Sequence, residues 1–255
     1  MENSVETRRP FGLSGFVLKI IACVAMVIDH VGAYWLTDVV VLRIIGRLAF
    51  PIFAFFIAEG CRYTRHKPKR FLLVFGLAAI CEAGHYVLSR QITGTVLLTF
   101  SCSILIIYAW QALKKAIVQK IARAISLSLL ALIGTLGLGL LTSRYIPIDY
   151  GFPGVLLPVL LSLFDYREGE APEFCRYLDC HSVRMVLFAL GTLMVWYFRG
   201  RSDVQFCALL ALIPMMFYNG HPGRVARRFK YWFYVFYPAH LGLIWVLKEV
   251  FERIS

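Results

Sequence analysis

The sequence predicts an all-α, polytopic integral membrane bundle with about nine transmembrane spans and a cytoplasmic N-terminus. Three observations carry this expectation. The 255-residue chain is 59% hydrophobic and only 16% charged, with a mean hydropathy of +0.69, whereas soluble domains are nearer half apolar and a quarter charged. Apolar segments recur at 16–36, 40–60, 71–89, 95–113, 121–141, 152–164, 183–199, 204–219 and 231–251, most of them near the roughly 20 residues that cross a bilayer. The basic residues also alternate between the intervening loops, as the positive-inside rule requires.

Taken in order, the polar start MENSVETRRPFG shows no cleavable signal, and the first apolar segment is a full span that stays as an anchor. With the N-terminus inside, inner loops hold Arg8 and Arg9, then Arg62 to Arg70, then Lys114 to Arg123, then Arg167, Arg176 and Arg184, then Arg224 to Lys230. That places eighteen of the 27 basic residues inside and six outside, the other three lying within spans. Segment 152–164 is short and carries Pro153 and Pro158, so it reads as either a full or a re-entrant span. Omitting it would send the basic loop after Asn219 outside, and nine spans are therefore kept. The long polar stretch DYREGEAPEFCRYLDCHS reads as a cytoplasmic loop with one helical turn. No repeat or linker divides residues 1–255, so a single domain is expected. This hydropathy excludes a β-barrel.

The net charge of +12 reflects these loops rather than nucleic-acid binding. The seven cysteines show no framework spacing. Cys175, Cys180 and His181 are three soft ligands without a fourth, so no metal site is expected.

Residues 16–60 organise the chain. Two neighbouring spans carry Lys19, Asp29, His30, Arg43, Arg47 and Glu59, and ionisable groups at membrane depth belong in a protein interior or a watery cavity. Lys19 and His30, eleven residues apart, fall within about 20° on one helix face and about 16 Å apart along the axis, with Cys23 and Met26 between them. That arrangement suits a slot with a cation at its cytoplasmic mouth and an imidazole at its deep end. Arg43 and Arg47 share a face at the depth of Asp29. An Asp29–Arg47 pair would keep both charged and leave a spare guanidinium for negative charge developing on a substrate. Pro51 should kink the second span. Glu59 at its inner end is expected to cap into water, and the cationic CRYTRHKPKR that follows meets lipid headgroups or donor phosphates. Glu82 and His85 are candidates on the third span. Asp149 and Tyr150 precede a Gly- and Pro-broken segment expected to wall a site. In KYWFYVFYPAHL, Tyr231, Tyr234, Tyr237 and His240 form a ladder toward mid-membrane, with His240 just past Pro238.

The blocks LKIIACVAMVIDH, IGRLAFPIFAFFIAEG, DYGFPGVLL, FYNGHPG and FYVFYPAHL resemble, in order, those of the TraX family, named for a protein linked to N-terminal acetylation of conjugative pilin. TraX-like proteins are similar to the wider transmembrane acyltransferases, which move an acyl group from cytoplasmic acyl-CoA to an acceptor at or beyond the membrane. The resemblance implies an acetyl-CoA-dependent O- or N-acetyltransferase of the bacterial cytoplasmic membrane. It makes His30, Asp29, Arg47 and His240 catalytic candidates, with Lys19, Arg43, Glu59, Tyr150, Asn219 and Tyr237 lining the substrate path. The acceptor stays open among a glycan, a lipid and a peptide amine. The alternative is a proton-coupled transporter or flippase.

Overall fold

The computed structural model describes residues 11–223 and 232–254. The helices are α1 (Gly15–Tyr34), α2 (Val40–Gly46), α3 (Ala49–Tyr63), α4 (Lys67–Ser89), α5 (Val96–Gln119), α6 (Ala122–Tyr145), α7 (Gly151–Leu161), α8 (Glu173–Leu178), α9 (His181–Phe198), α10 (Asp203–Phe206), α11 (Leu212–Met216) and α12 (Trp232–Ile254). Among the described residues there is no strand, only an isolated parallel bridge between Leu13 and Tyr218. Among the described residues, six spans are long and apolar enough to cross a membrane: α1, Val40–Tyr63 (α2 with α3), α4, α5, α6 and α9. Arg8, Arg9, Arg224, Arg227, Arg228 and Lys230, on which part of the charge argument rests, lie outside the described residues, as does Tyr231.

Helix α5 is the most buried span and α6 the least. α5 packs against α4, α6 and α7, while α7 packs against α3 and α9. A continuous apolar core of Leu18, Ile52, Phe55, Ile104, Leu157 and Phe188 runs through these contacts. Helix α7 is half the length of a span, yet it carries the chain along the whole of α5. At one end the Asp149 amide donates to Gly94 O at 2.9 Å, and the Thr99 hydroxyl donates to Asp149 O at 2.8 Å. Midway Ser103 donates to Val155 O at 2.7 Å. At the other end the buried Lys114 ammonium donates to Asp165 O at 2.8 Å and to Ser162 O at 3.3 Å. A cation on carbonyls just beyond a helix C-terminus is favoured by the helix dipole.

The second predicted span is broken. Pro51, third in α3, has no N–H to give to the carbonyl of Arg47, and the helix ends at Gly46 and restarts at Ala49. The break falls on Arg47 itself. Segment 204–219 likewise divides into α10, a 3₁₀ turn (Cys207–Ala211) and α11, with Pro214 withholding a donor. The FYNGHPG block then lies against the start of α1. Leu13 N donates to Phe217 O at 2.7 Å and Gly15 N to His221 O at 2.8 Å. Gly12, at φ 118°, sits so close to Phe217 O that a Cβ there would overlap it.

Candidate active site

The end of α1 and the break after α2 meet in a cluster of charges. The Asp29 carboxylate pairs through Oδ1 with Arg43 Nη1 at 3.0 Å and accepts on the same oxygen from Arg47 Nη2 at 3.4 Å. Arg43 also donates to the backbone oxygen of Asp29 at 2.8 Å, and Arg47 Nη1 donates to Gln205 Oε1 at 3.4 Å. The close approach of α1 and α2 depends on Gly46, because any Cβ there would overlap the Asp29 carboxylate. Neither guanidinium is spare as a whole, which corrects the sequence expectation. Arg47 keeps a buried Nε–H without a partner.

His30, next along α1, faces α12. Its ring centroid lies 5.3 Å from that of His240 and 6.1 Å from that of Tyr34. His240 is buried and stacked on Phe236 at 5.1 Å, with Tyr237 edge-on at 5.4 Å. Its Nδ1 lies 3.0 Å from Phe236 O. A carbonyl only accepts, so Nδ1 carries the proton and Nε2, buried without a partner, holds a free lone pair.

One cavity of about 2210 Å³ joins this cluster to the opposite end of the bundle. At one end it is lined by Thr64, Arg65, His66, Lys69 and Arg70 and by Asn219 to Gly223. At the other it is lined by Asp29, His30, Arg43, Arg47, Asp149, Tyr150, Arg199 and Gln205. Lys19 lies on the way, its ammonium 4.8 Å from the Phe56 ring centroid and 5.5 Å from that of Phe233. These rings hold the cation in place through their π faces. Met26 lines the cavity and Cys23 is buried, so the stripe from Lys19 to His30 faces inward as its spacing predicts.

The remaining candidates divide. Tyr150 stacks on Phe50 at 3.7 Å; burial pushes its hydroxyl up to about 12, with Arg47 beside it pulling the other way. Asp149 lines the same end, its carboxyl pushed up to about 6 by burial against the pull of Arg199. Tyr237 also lines the cavity, while the side chain of Tyr234 lies outside the described residues. Asn219 borders the other end, its Nδ2 donating to Gly12 O at 3.4 Å and its Oδ1 accepting from His221 N at 3.0 Å.

Glu59 does not cap into water. It is buried, accepting from Arg184 Nη2 at 2.6 Å and from the Tyr218 hydroxyl at 3.2 Å. Burial, with Glu59 adding to it, raises the Tyr218 hydroxyl. Glu82 and His85 stand away from the cavity. Glu82 accepts from the Thr95 amide at the start of α5, and the exposed His85 bonds Ser89. Sequence reasoning missed Phe56, Phe233 and Gln205. Their only signal is placement on the same helical faces as Glu59, Tyr237 and the 3₁₀ turn. Among the described residues, no three His, Cys, Asp or Glu side chains are grouped to hold a metal ion. Cys175 is buried on α8 and Cys180 is exposed.

No solved structure matches the chain. A probable fimbrial assembly protein FimC of serogroup H1 from Dichelobacter nodosus is 28% identical over 265 residues, covering 92% of this chain and 96% of that protein. An uncharacterised protein of Rickettsia prowazekii (strain Madrid E) is 41% identical over 61 residues, covering 24% of this chain and 23% of its own length. The profile described as TraX protein matches residues 14–248, a range that includes every residue of the Asp29–His30–Arg47–His240 cluster. The chain belongs to the TraX family.

Proposed function

We propose that this chain is an integral-membrane acyltransferase that moves an acetyl group from cytoplasmic acetyl-CoA to a hydroxyl or amine acceptor at the outer side of the bacterial cytoplasmic membrane. We place the N-terminus inside and count nine crossing segments, the six long spans together with α7, the α10–α11 segment and α12. The observation that carries the reading is the cavity, which runs from the basic Arg65–Arg70 end to the His30–Arg47 end. An anionic donor entering beside Lys69 and Arg70 extends past Lys19 and brings its thioester to His30.

At that end the chemistry needs a base and a donor for developing negative charge. His30 takes the proton from the acceptor's O–H or N–H as the acceptor atom attacks the thioester carbon. The resulting oxyanion is held by the Nε–H of Arg47, fixed in position by Asp29 and Gln205. Collapse breaks the C–S bond, and the proton passes to the departing thiolate. His240, with its Nε2 lone pair free, accepts a hydrogen bond from an N–H of His30 and so selects the tautomer whose other nitrogen is basic. The fimbrial assembly named for the Dichelobacter relative keeps a peptide amine among the acceptors, beside glycan and lipid hydroxyls.

The test is release of free CoA thiol and transfer of label from radiolabelled acetyl-CoA in membranes containing the chain. Transfer is expected with wild type and is lost in a His30→Ala protein that folds normally. His30→Ala activity near wild type would overturn the assignment. Because the cavity reaches both ends of the bundle, a proton-coupled transporter is the second reading. Solute flux in proteoliposomes lacking any acyl donor would favour it.

A further inference from the structure

A second cavity, of about 370 Å³, opens beside the basic end of the first and shares Thr64 and Arg65 with it. Its size falls within the roughly 300–1,000 Å³ of small-molecule sites. Six cations border it, against two carboxylates, Asp165 and Glu170. Lys115 and Arg167 share Glu170, at 3.8 and 3.6 Å, and Arg62 is taken up by Asp179 and Asp165. Arg65 and Lys67 make no ion pair among the described residues.

Two further features point to a ligand. Helix α4 begins on the ridge between the two cavities, with no side-chain cap and no acid in its first turn. Lys67, Lys69 and Arg70 stand there instead. Cations at a helix N-terminus oppose the dipole, and a bound anion would satisfy both the cations and the free amides. Asp165 borders the second cavity with its side chain only 5% exposed, and neither carboxylate oxygen has a hydrogen-bond partner. A buried carboxylate in that state wants a hydroxyl or amino donor.

Cations for phosphates beside an acceptor for a hydroxyl or amino group match a phosphorylated nucleoside better than a bare phosphate. We propose that the second cavity holds the 3′-phosphoadenosine diphosphate end of the acyl-CoA donor, with Lys67, Arg65 and Lys115 on its phosphates and Asp165 on a ribose hydroxyl or the adenine amino group. This rests on the acyltransferase reading. The donor then bends over the start of α4, its nucleotide in one cavity and its acyl arm in the other.

The test is calorimetry of adenosine 3′,5′-bisphosphate, which lacks the pantetheine arm, on the full chain in neutral phosphatidylcholine nanodiscs. Saturable binding is expected, weakened about tenfold or more in Lys67→Glu and in Lys115→Glu, and unchanged in His30→Ala. A thermal melt confirms that each variant folds. Absence of binding to wild type, or wild-type affinity in both charge-reversed variants, overturns the proposal. Equal displacement by inorganic phosphate, or loss of binding in nanodiscs containing phosphatidylglycerol, assigns the cavity to a phosphate or a lipid headgroup and also overturns it. Acetyl transfer at wild-type KM by Lys67→Glu removes the nucleotide site and leaves the acyltransferase standing. Binding of the bisphosphate by a chain with no acetyl transfer removes the acyltransferase and leaves a nucleotide site.

Discussion

Two charged clusters lie at opposite ends of the same bundle, and they differ in where their unbonded groups lie. Around Glu59, Arg184 and Tyr218, and in the neighbouring Arg62–Asp179 pair, charge meets charge across helices distant in sequence. Tyr166 N also donates to Asp179 Oδ2 at 3.1 Å. These contacts tie the 162–184 stretch to the end of α3. Around Asp29 the contacts are as numerous, and Arg47 Nε and His240 Nε2 are left without partners. Arg184 Nε is unpartnered as well, but Glu59 and Tyr218 are what bring the first cluster to the cavity, whereas the unmet Arg47 itself lines it. Buried polar groups are normally satisfied. Where they are not, beside open volume, the unmet groups are free to bond another molecule. Both clusters hold helices together, and the second also presents an unmet donor on a residue that lines the cavity.

The sharpest way to break this contrast is Arg47→Lys, which keeps a positive charge for Asp29 but removes the Nε–H. Transfer from labelled acetyl-CoA should fall about 10²–10³-fold, with the thermal unfolding midpoint close to wild type. If Arg184→Lys depressed transfer equally at equal stability, the distinction between the clusters would fail. Next comes Glu59→Ala, which strands the Arg184 guanidinium. A loss of about 3–5 kcal/mol is expected, read in thermal or denaturant unfolding. Gly46→Ala should cost less, about 1–3 kcal/mol, because its Cβ must push the Asp29 carboxylate off α2. Its transfer rate should drop by more than its stability loss explains.

The smallest effect is with pH. Burial pushes the Asp165 carboxyl from 3.8 up to about 6, against the pull of Arg184, Arg62 and Lys114. The folded state therefore holds this proton more tightly than the unfolded chain. The stability it contributes is fully present below pH 3.8 and is lost as pH rises through about 6. The slope is at most about 1.4 kcal/mol per pH unit. Unfolding midpoints measured across that window should decline in wild type and lose this component in Asp165→Asn.

Much of the deep cluster was legible because it is local. The eleven-residue spacing from Lys19 to His30 and the four-residue spacing from Arg43 to Arg47 are helical arithmetic, and a buried Asp29 demands a cation nearby. Pro51 announced the helix break, which falls four residues earlier because the lost bond belongs to the carbonyl of Arg47. What was not legible is partner choice over long separations. By its position Arg184 reads as a loop charge, yet it is the partner that draws Glu59 inward across 125 positions. Gln205 reaches Arg47 from a segment that apolar content alone reads as an ordinary span. The role of Phe56 and Phe233 as walls for Lys19 depends on how α1, α3 and α12 cross, which periodicity within one helix does not specify. Short α7 read as ambiguous for the same reason, since its path along α5 is set by Thr99, Ser103 and Lys114 on the neighbouring helix.

The claim on which the account turns is that position 30 lies in a water-filled cavity sealed from lipid and open to the donor. It is tested by reacting a His30→Cys chain, reconstituted in vesicles, with a water-soluble, membrane-impermeant maleimide. Reading the labelled peptides by mass spectrometry scores position 30 separately from the seven native cysteines. Labelling at position 30 that acetyl-CoA suppresses is expected. A position 30 inert to that reagent but modified by a lipid-soluble maleimide, with no protection by acetyl-CoA, would contradict it.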